Sequence, residues 1–511
     1  MDIAQRAADV HDEFLRTDHL KSNLKGRSIK GGIVTLSAQA IKLASTILST
    51  AILARLLTPS DFGLVAMITA VTGLLSSLKD AGLATPTIQR AEISHAQVSN
   101  LFWINVGVSA VFTLLVAAAA PLIVWLYRSP QLLPLTLALA VTFFIDGLSV
   151  QHLALLSRQM KFASLARIEV GALLFGQLAG IGCAAAGCGA WSLVAATLAT
   201  SLCGMVLAWS TSRWRPQMPK RGSGTRPLVS FGASLTAANS LSYLVRNVDN
   251  FLIGRMYGAT TVGLYSRAAA LLRRPVDQLL GPVTAVVQPT LSRLQNEPER
   301  YRRTFMQLFE FIALVALPVT GAMAALARPV VLVLLGPKWE AAAVLFAAFS
   351  IVTLYSPLAC SAFWIFESQG RGWDMFRSNS YLSTLAIISF VVGLPFGAAG
   401  VALSFSISGL LVRLPILFHI AGGKGPVTRK DLWLGFLRHL WLWPVVYFST
   451  RCMLHFCPQL PPFLQILVAM PVGLACAAAF VLVYPPQRRV AARLWETVKS
   501  VIVARSAEAR K

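Results

Sequence analysis

Ionisable side chains inside stretches apolar enough to lie in lipid are the residues here best placed to do chemistry. Lys42 lies about 16 Å into an apolar window at 31–56, taking about 1.5 Å per helical residue. Gln39, Lys42, Thr46 and Ser49 are spaced 3, 4 and 3, which is one stripe on a helix. Two hundred positions on, the window 231–256 carries Asn239, Ser242, Arg246 and Asp249 in the same stripe. A charge at mid-bilayer costs about 2.5–3.5 kcal/mol on insertion scales, so it faces a partner or water. The next window adds Arg267, Arg273, Arg274 and Asp277, with Arg267 and Arg274 seven apart on one face. Lys79, Asp80, Asp146, Glu310 and Arg413 complete the set. Some have plainer explanations: Lys79 and Asp80 lie toward a helix end, where long side chains snorkel, and Arg273-Arg274 precede Pro275. The set is net cationic and suits an anionic solute, and a guanidinium matches phosphate with its planar fork of donors. A diphosphate is the natural candidate. Lys42, Arg246, Arg267, Arg274, Gln39, Asn239 and Lys79 are therefore the expected substrate-binding residues. Asp249, Asp146 and Glu310 are the expected ion-coupling residues, with H+ and Na+ left open.

The elements that must carry these residues follow from composition. Of 511 residues, 56% are hydrophobic and 13% charged, with a mean hydropathy of +0.64. This is a polytopic membrane protein. Fourteen windows are long and apolar enough to cross a bilayer: 31–56, 62–84, 100–126, 131–155, 165–186, 190–210, 231–256, 262–288, 304–326, 340–366, 378–396, 399–420, 432–451 and 463–484. An even count puts both termini on one side. Loops on that side are basic ("SRWRPQMPKRGSGTR", "GGKGPVTRK"), and loops on the other are short and nearly neutral ("LTPSD", "YGATT"). The positive-inside rule makes the basic side cytoplasmic. The net charge of +24 is then mostly topology, with an attraction to anionic membrane lipids, and gives no ground for nucleic-acid binding. Residues 1–30 read as a charged cytoplasmic arm without a signal peptide, and 485–511 as a basic cytoplasmic tail. The seven cysteines form no metal-ligand cluster, so neither metal nor cofactor is expected; Cys452 and Cys457 flank a short loop and could pair in an oxidising compartment.

One corner is written twice. "AILARLLTPSDFGLVA" (51–66) and "FLIGRMYGATTVGLYS" (251–266) both run from an arginine, through small and polar residues, to Gly-Leu. The offset of 200 drifts to about 208 at "APLIVWLYRSPQ" (120–131) and "ARPVVLVLLGPKW" (327–339). The second of these is interrupted at Gly336-Pro337 and reads as a half-helix or an interfacial segment. The expected fold is all-α, with two pseudo-symmetric six-helix lobes, 31–210 and 231–420, around a central cavity. A basic linker at 211–230 joins them, and two further spans occupy 421–484. In transporters built from such repeats the site lies between the halves near the midplane. Pro275, Pro282 and Pro289 invite kinks in or just after the eighth span.

With these motifs in view, "LARLLTPSDFGLVAM", "VDNFLIGRMYGATTVGLYSRAAALL" and "LVLLGPKWEAA" resemble the polysaccharide-exporter branch of the MATE/MOP flippase superfamily, which also holds the lipid II flippase. In particular they resemble Wzx-type flippases of lipopolysaccharide and exopolysaccharide synthesis, such as colanic acid and succinoglycan exporters. The resemblance runs through residues 30–420. It implies a bacterial inner-membrane transporter of undecaprenyl-diphosphate-linked oligosaccharide, working by alternating access and coupled to an ion gradient. A polysaccharide polymerase and chain-length or export proteins are the implied partners. The motif positions here are Arg55, Asp61, Gly63, Asp249, Arg255, Gly263, Tyr265 and Arg267; Thr261 stands where a second Asp61 would be. Two alternatives compete. A MATE-like exporter of cationic drugs needs an acidic cavity, against Lys42, Arg246 and Arg267. A membrane polymerase or glycosyltransferase needs catalytic groups on sizeable outer loops, and most of these are about five residues.

Overall fold

The computed structural model describes residues 24–78, 84–90, 92–219 and 226–492, with side chains except those at 24–30, 33, 74–78, 226–246, 274–280, 282 and 285. All regular structure in them is helical. The chain forms two compact units, one ending at Gly263 and one starting at Leu264. The division falls in the second corner, not in the basic linker at 211–230.

The first unit holds α1 (Leu24–Leu56), α2 (Pro59–Leu78), the short α3 (Ala84–Gln89), α4 (His95–Tyr127), α5 (Leu132–Gly147), α6 (Val150–Arg158), α7 (Phe162–Ala185), α8 (Trp191–Ser212) and the first part of α9 (Arg226–Arg293). The ends follow local chemistry. Ser94 and Gln97 form a reciprocal capping box at the start of α4, and Arg128 closes that helix in the left-handed conformation. α7 and α8 pack through small residues. A Cβ on Gly180 would come within 2.7 Å of the Ala196 methyl and 3.1 Å of the Ser192 carbonyl, so the helices approach at backbone distance. Leu114, Leu122 and Trp125 of α4 are 59–73% exposed, as befits side chains that meet lipid.

The second unit continues α9 and adds α10 (Pro298–Ala325), α11 (Ala327–Leu334), α12 (Ala342–Ser368), α13 (Gly372–Gly393), α14 (Gly397–Ser408), α15 (Leu414–Ala421), α16 (Arg429–Leu440), α17 (Leu442–Phe456) and α18 (Pro462–Val483). Its core is aromatic: Phe305, Phe309, Phe366, Phe418 and Phe436 are buried together between α10, α12, α15 and α16. α11 is the expected half-helix, stopped at Gly336 and Pro337.

Among the described residues nine segments are long and apolar enough to span a membrane, so this is a multi-pass membrane protein, and the expected fourteen are not established. The window 62–84 runs beyond the described residues, and the rest of the shortfall has physical causes. Gly372–Ala421 is counted once, yet it turns at Gly397, whose φ is +77°, and holds two expected windows. The windows 231–256 and 262–288 fall on two helices that meet at a kink at Gly258, and both carry many charges. The window 432–451 is broken at Trp441 into α16 and α17.

The repeat is also written in the backbone. Left-handed φ values occur at Arg128 and Gly336, 208 residues apart; at Met160 and Gly370, 210 apart; at Gly187 and Gly397, 210 apart; and at Arg213 and Gly425, 212 apart. Side chains differ at three of the four pairs. The positive φ persists although the conformations are not identical, ψ being 37° at Arg128 and 176° at Gly336.

Candidate functional site

The striped first helix places Gln39 in the open, Lys42 and Thr46 half-buried, and Ser49 buried. Lys42 is not a lone cation: its Nζ donates to Glu169 Oε2 at 2.5 Å, from α1 to α7. The carboxylate side chain remains 52% exposed, against 23% for the lysine. Glu169 was not among the expected residues. A single acid in the apolar run after Phe162 was the signal available, and its partner lies 127 positions away.

The first corner owes its shape to Asp61. Its Oδ2 accepts from the Thr58 amide at 2.8 Å and the Thr58 hydroxyl at 2.6 Å, while the Asp61 amide donates back to Thr58 Oγ1 at 3.3 Å. With Pro59 at the first helical position, this is a capping box that starts α2. The second corner does without it. Gly258, at φ +79°, stands where Thr58 stands, and Thr261 only bonds back to the Tyr257 carbonyl. A left-handed glycine reverses that chain where a capped helix start reverses the first.

The two corners touch each other through their glycines. A Cβ on Gly63 would lie 1.8 Å from the Ala259 carbonyl oxygen, and a Cβ on Gly263 would lie 1.8 Å from the Pro59 carbonyl oxygen. Each glycine thus meets the carbonyl four residues before the other, a reciprocal contact between two like segments. Only a residue without a Cβ fits.

The remaining expected residues sort as follows. Arg55 is exposed in the last turn of α1, where a cation complements the helix dipole, and Arg255 is half-buried just before Gly258. Asp249 is buried and its Oδ1 accepts from the Asn250 amide at 2.8 Å. Asp146 is half-buried near the end of α5. In the second unit Tyr265 is buried, edge-on to Phe349 at 4.9 Å, and Arg267 is half-buried. Glu310 is buried and accepts from Arg438 at 2.7 Å, so it is half of an ion pair. The side chains of Asn239, Arg246 and Arg274, and Lys79 altogether, lie outside the described residues.

A second charged feature lies on a π-turn, Gly409–Arg413, in the twelfth window. The Arg413 guanidinium sits 3.9 Å over the Phe405 ring, donates to the Phe405 carbonyl, and is 3.5 Å from the Tyr355 hydroxyl. Tyr355 fills the space left by Gly409, whose Cβ would fall 1.6 Å from that hydroxyl. Sequence singled out Arg413 but not Tyr355.

Residues 52–344, more than half the chain and including all but the first residue of the two corners, match the polysaccharide biosynthesis protein family. The chain belongs to that family. Relatives extend the match. The lipopolysaccharide biosynthesis protein WzxC of Escherichia coli (strain K12) is 25% identical over 81% of this chain and 86% of its own length. The succinoglycan biosynthesis transport protein ExoT of Rhizobium meliloti (strain 1021) is 25% identical over 56% of this chain and 58% of its own. Among solved structures, the lipid II flippase MurJ in an inward closed conformation superposes with a TM-score of 0.66, covering 88% of this chain and 98% of that one at 15% identity. The fold of this family member is thus the flippase fold that its sequence led us to expect.

Proposed function

We propose that this protein turns undecaprenyl-diphosphate-linked oligosaccharide repeat units from the cytoplasmic to the outer leaflet of the bacterial inner membrane, for exopolysaccharide or O-antigen-type synthesis. It acts as a transporter and makes or breaks no bond in its substrate. The family match over residues 52–344 carries this reading. The name of ExoT as a transport protein and the flippase fold support movement rather than synthesis.

The Lys42–Glu169 pair supports an anionic cargo. An ammonium held by a half-exposed carboxylate can exchange that partner for a diphosphate, which brings more charge to the same donor. Arg246, Arg267 and Arg274 are the further cations on our reading. Glu169, once released, joins Asp249, Asp146 and the Arg438-paired Glu310 as a carboxylate able to take a driving H+ or Na+. Both termini are cytoplasmic in this scheme, and a polysaccharide polymerase and chain-length or export proteins act on the product.

Deletion of the gene, with complementation, tests the reading. Loss of surface polymer with lipid-linked repeat units trapped on the cytoplasmic face is expected. Unpolymerised repeat units on the outer face would place the protein after translocation and refute the proposal. A reporter fused after Tyr484 is expected to read cytoplasmic.

A further inference from the structure

A groove of about 590 Å3 lies between α13 and α15, lined by Arg377, Tyr381, Thr384, Leu385, Ile416, His419 and Ile420. Its basic groups are at one end, and the one hydroxyl deeper in, Thr384, is bonded back to the Ser380 carbonyl. Arg377 and His419 stand near the helix termini at Gly372 and Ala421, and Leu385 and Ile416 lie deeper. Arg377 is held in place from below: its Nε donates to the Tyr381 hydroxyl at 3.2 Å and its guanidinium carbon lies 5.4 Å over the Tyr381 ring. Its two terminal nitrogens have no protein partner among the described residues, nor has the His419 ring. A second guanidinium is at the mouth, since Arg429 Nε donates to the His419 carbonyl at 3.0 Å. The nearby acid, Asp374, is already taken up by Arg371 at 2.9 Å and Lys424 at 3.8 Å. Beside the mouth, Trp373 and Phe376 stack at 5.4 Å and are 75% and 51% exposed, the kind of aromatic pair that sits at headgroup level.

Free donors at one end, an apolar trough running inward from them and an aromatic pair at the rim match an amphiphile with an anionic head. We propose that this groove binds an anionic phospholipid from the leaflet that meets the basic loops. Its phosphate rests on Arg377 and His419, and one acyl chain lies along Leu385, Ile416 and Ile420. From Arg377 to Leu385 the helix rises about 12 Å, room for roughly the upper half of an acyl chain. A guanidinium oriented by Tyr381, whose neighbour Asp374 bonds Arg371 and Lys424 and only attracts it from a distance, selects a phosphate diester with net charge over a zwitterionic head. The site is independent of the transport reading and needs only that the chain lie in a membrane.

Native mass spectrometry of the full-length detergent-purified protein tests this, with phosphatidylglycerol as probe and phosphatidylcholine as the neutral control. Wild type is expected to retain phosphatidylglycerol about tenfold better than phosphatidylcholine, and R377Q/H419Q to lose that preference. L385W, which fills the trough and leaves the cations, is expected to weaken both lipids and serves if the double variant does not fold. Equal retention of the two lipids by wild type, or an unchanged preference in a folded R377Q/H419Q, overturns the proposal. So does displacement of phosphatidylglycerol by an equal concentration of undecaprenyl diphosphate, which would give the groove to the transported lipid. Binding of inorganic phosphate as tight as the lipid's would remove the trough from the site and overturn it as well.

Discussion

Replacing Gly63 by alanine puts a methyl 1.8 Å from the Ala259 carbonyl oxygen and 2.5 Å from its carbon, where carbon and oxygen normally approach to about 3.3 Å. The corners must part by about 1.5 Å, and both sides of the contact are backbone, which has no rotamer to yield. Overpacking costs about 1–3 kcal/mol in ordinary cores, and backbone against backbone belongs at the upper end. Alanine regains about 1 kcal/mol because Gly63 is inside α2, leaving a net loss of about 2 kcal/mol. Gly263→Ala should cost the same, its methyl meeting the Pro59 carbonyl oxygen at 1.8 Å. The two are not independent. Once one methyl has separated the corners, the second finds room, so the double variant should lose clearly less than the sum, with a coupling of about 1 kcal/mol or more. Gly107→Ala is the control: it sits inside α4 with nothing within 4 Å of the new methyl, and should gain up to about 1 kcal/mol. Thermal unfolding of the four variants in one detergent, followed by tryptophan fluorescence, gives the ranking. A Gly63→Ala protein as stable as wild type, or strictly additive losses in the double variant, would refute the reciprocal contact.

Further expectations concern individual groups. Lys42→Ala should shift stability by under about 1 kcal/mol, since its partner is half exposed, yet lower polymer export at least tenfold; a K42E/E169K exchange should restore the pair but not export, assayed by complementation. Asp431→Asn removes the carboxylate that accepts from Thr428 and, at 2.9 and 2.6 Å, from Arg302, and should destabilise the start of α16 by about 1–3 kcal/mol by thermal unfolding. Burial alone would raise the Asp431 carboxyl, but the bonds from Arg302 and Thr428 outweigh it and hold it below the usual carboxylate range. Its contribution should therefore be complete above about pH 4, the unfolded value, and vanish as pH falls through the lower folded value, so wild type and D431N should converge in acid. Gly409→Ala should displace Tyr355 and lower the melting temperature, with Tyr355→Phe giving partial rescue because it removes the nearest clashing atom.

Much of this architecture could be read before any coordinates. Apolar windows located α4, α7, α8, α10, α12 and α18 to within a few residues, because twenty apolar residues in a row have few other fates. The doubled corner was legible as a repeat, but the contact between its two copies was not. That Gly63 and Gly263 press on each other's chain depends on a packing that no spacing encodes. Asp61 stood out only as a motif position; that it starts a helix with Thr58 took the structure to show, and the absence of its counterpart at Thr261 is explained by Gly258. The binding residues were harder. A lysine deep in a span announces that something must accompany it, yet whether that is water, a solute or Glu169 is a question of which helix lies alongside. Likewise Glu310 looked available until α16 brought Arg438 to it.

The matched left-handed turns carry a practical consequence. Arg128, Met160 and Arg213 hold a conformation that costs a side-chain-bearing residue about 1–2 kcal/mol, and at the corresponding positions the second copy has positive-φ glycines, Gly336, Gly370 and Gly425, the first with a more extended ψ. The chain thus contains its own template for improving its less relaxed half. Copying glycine into those three positions should give a hardier protein for structural work without touching a helix, using substitutions that nature has already tried 208 to 212 residues downstream.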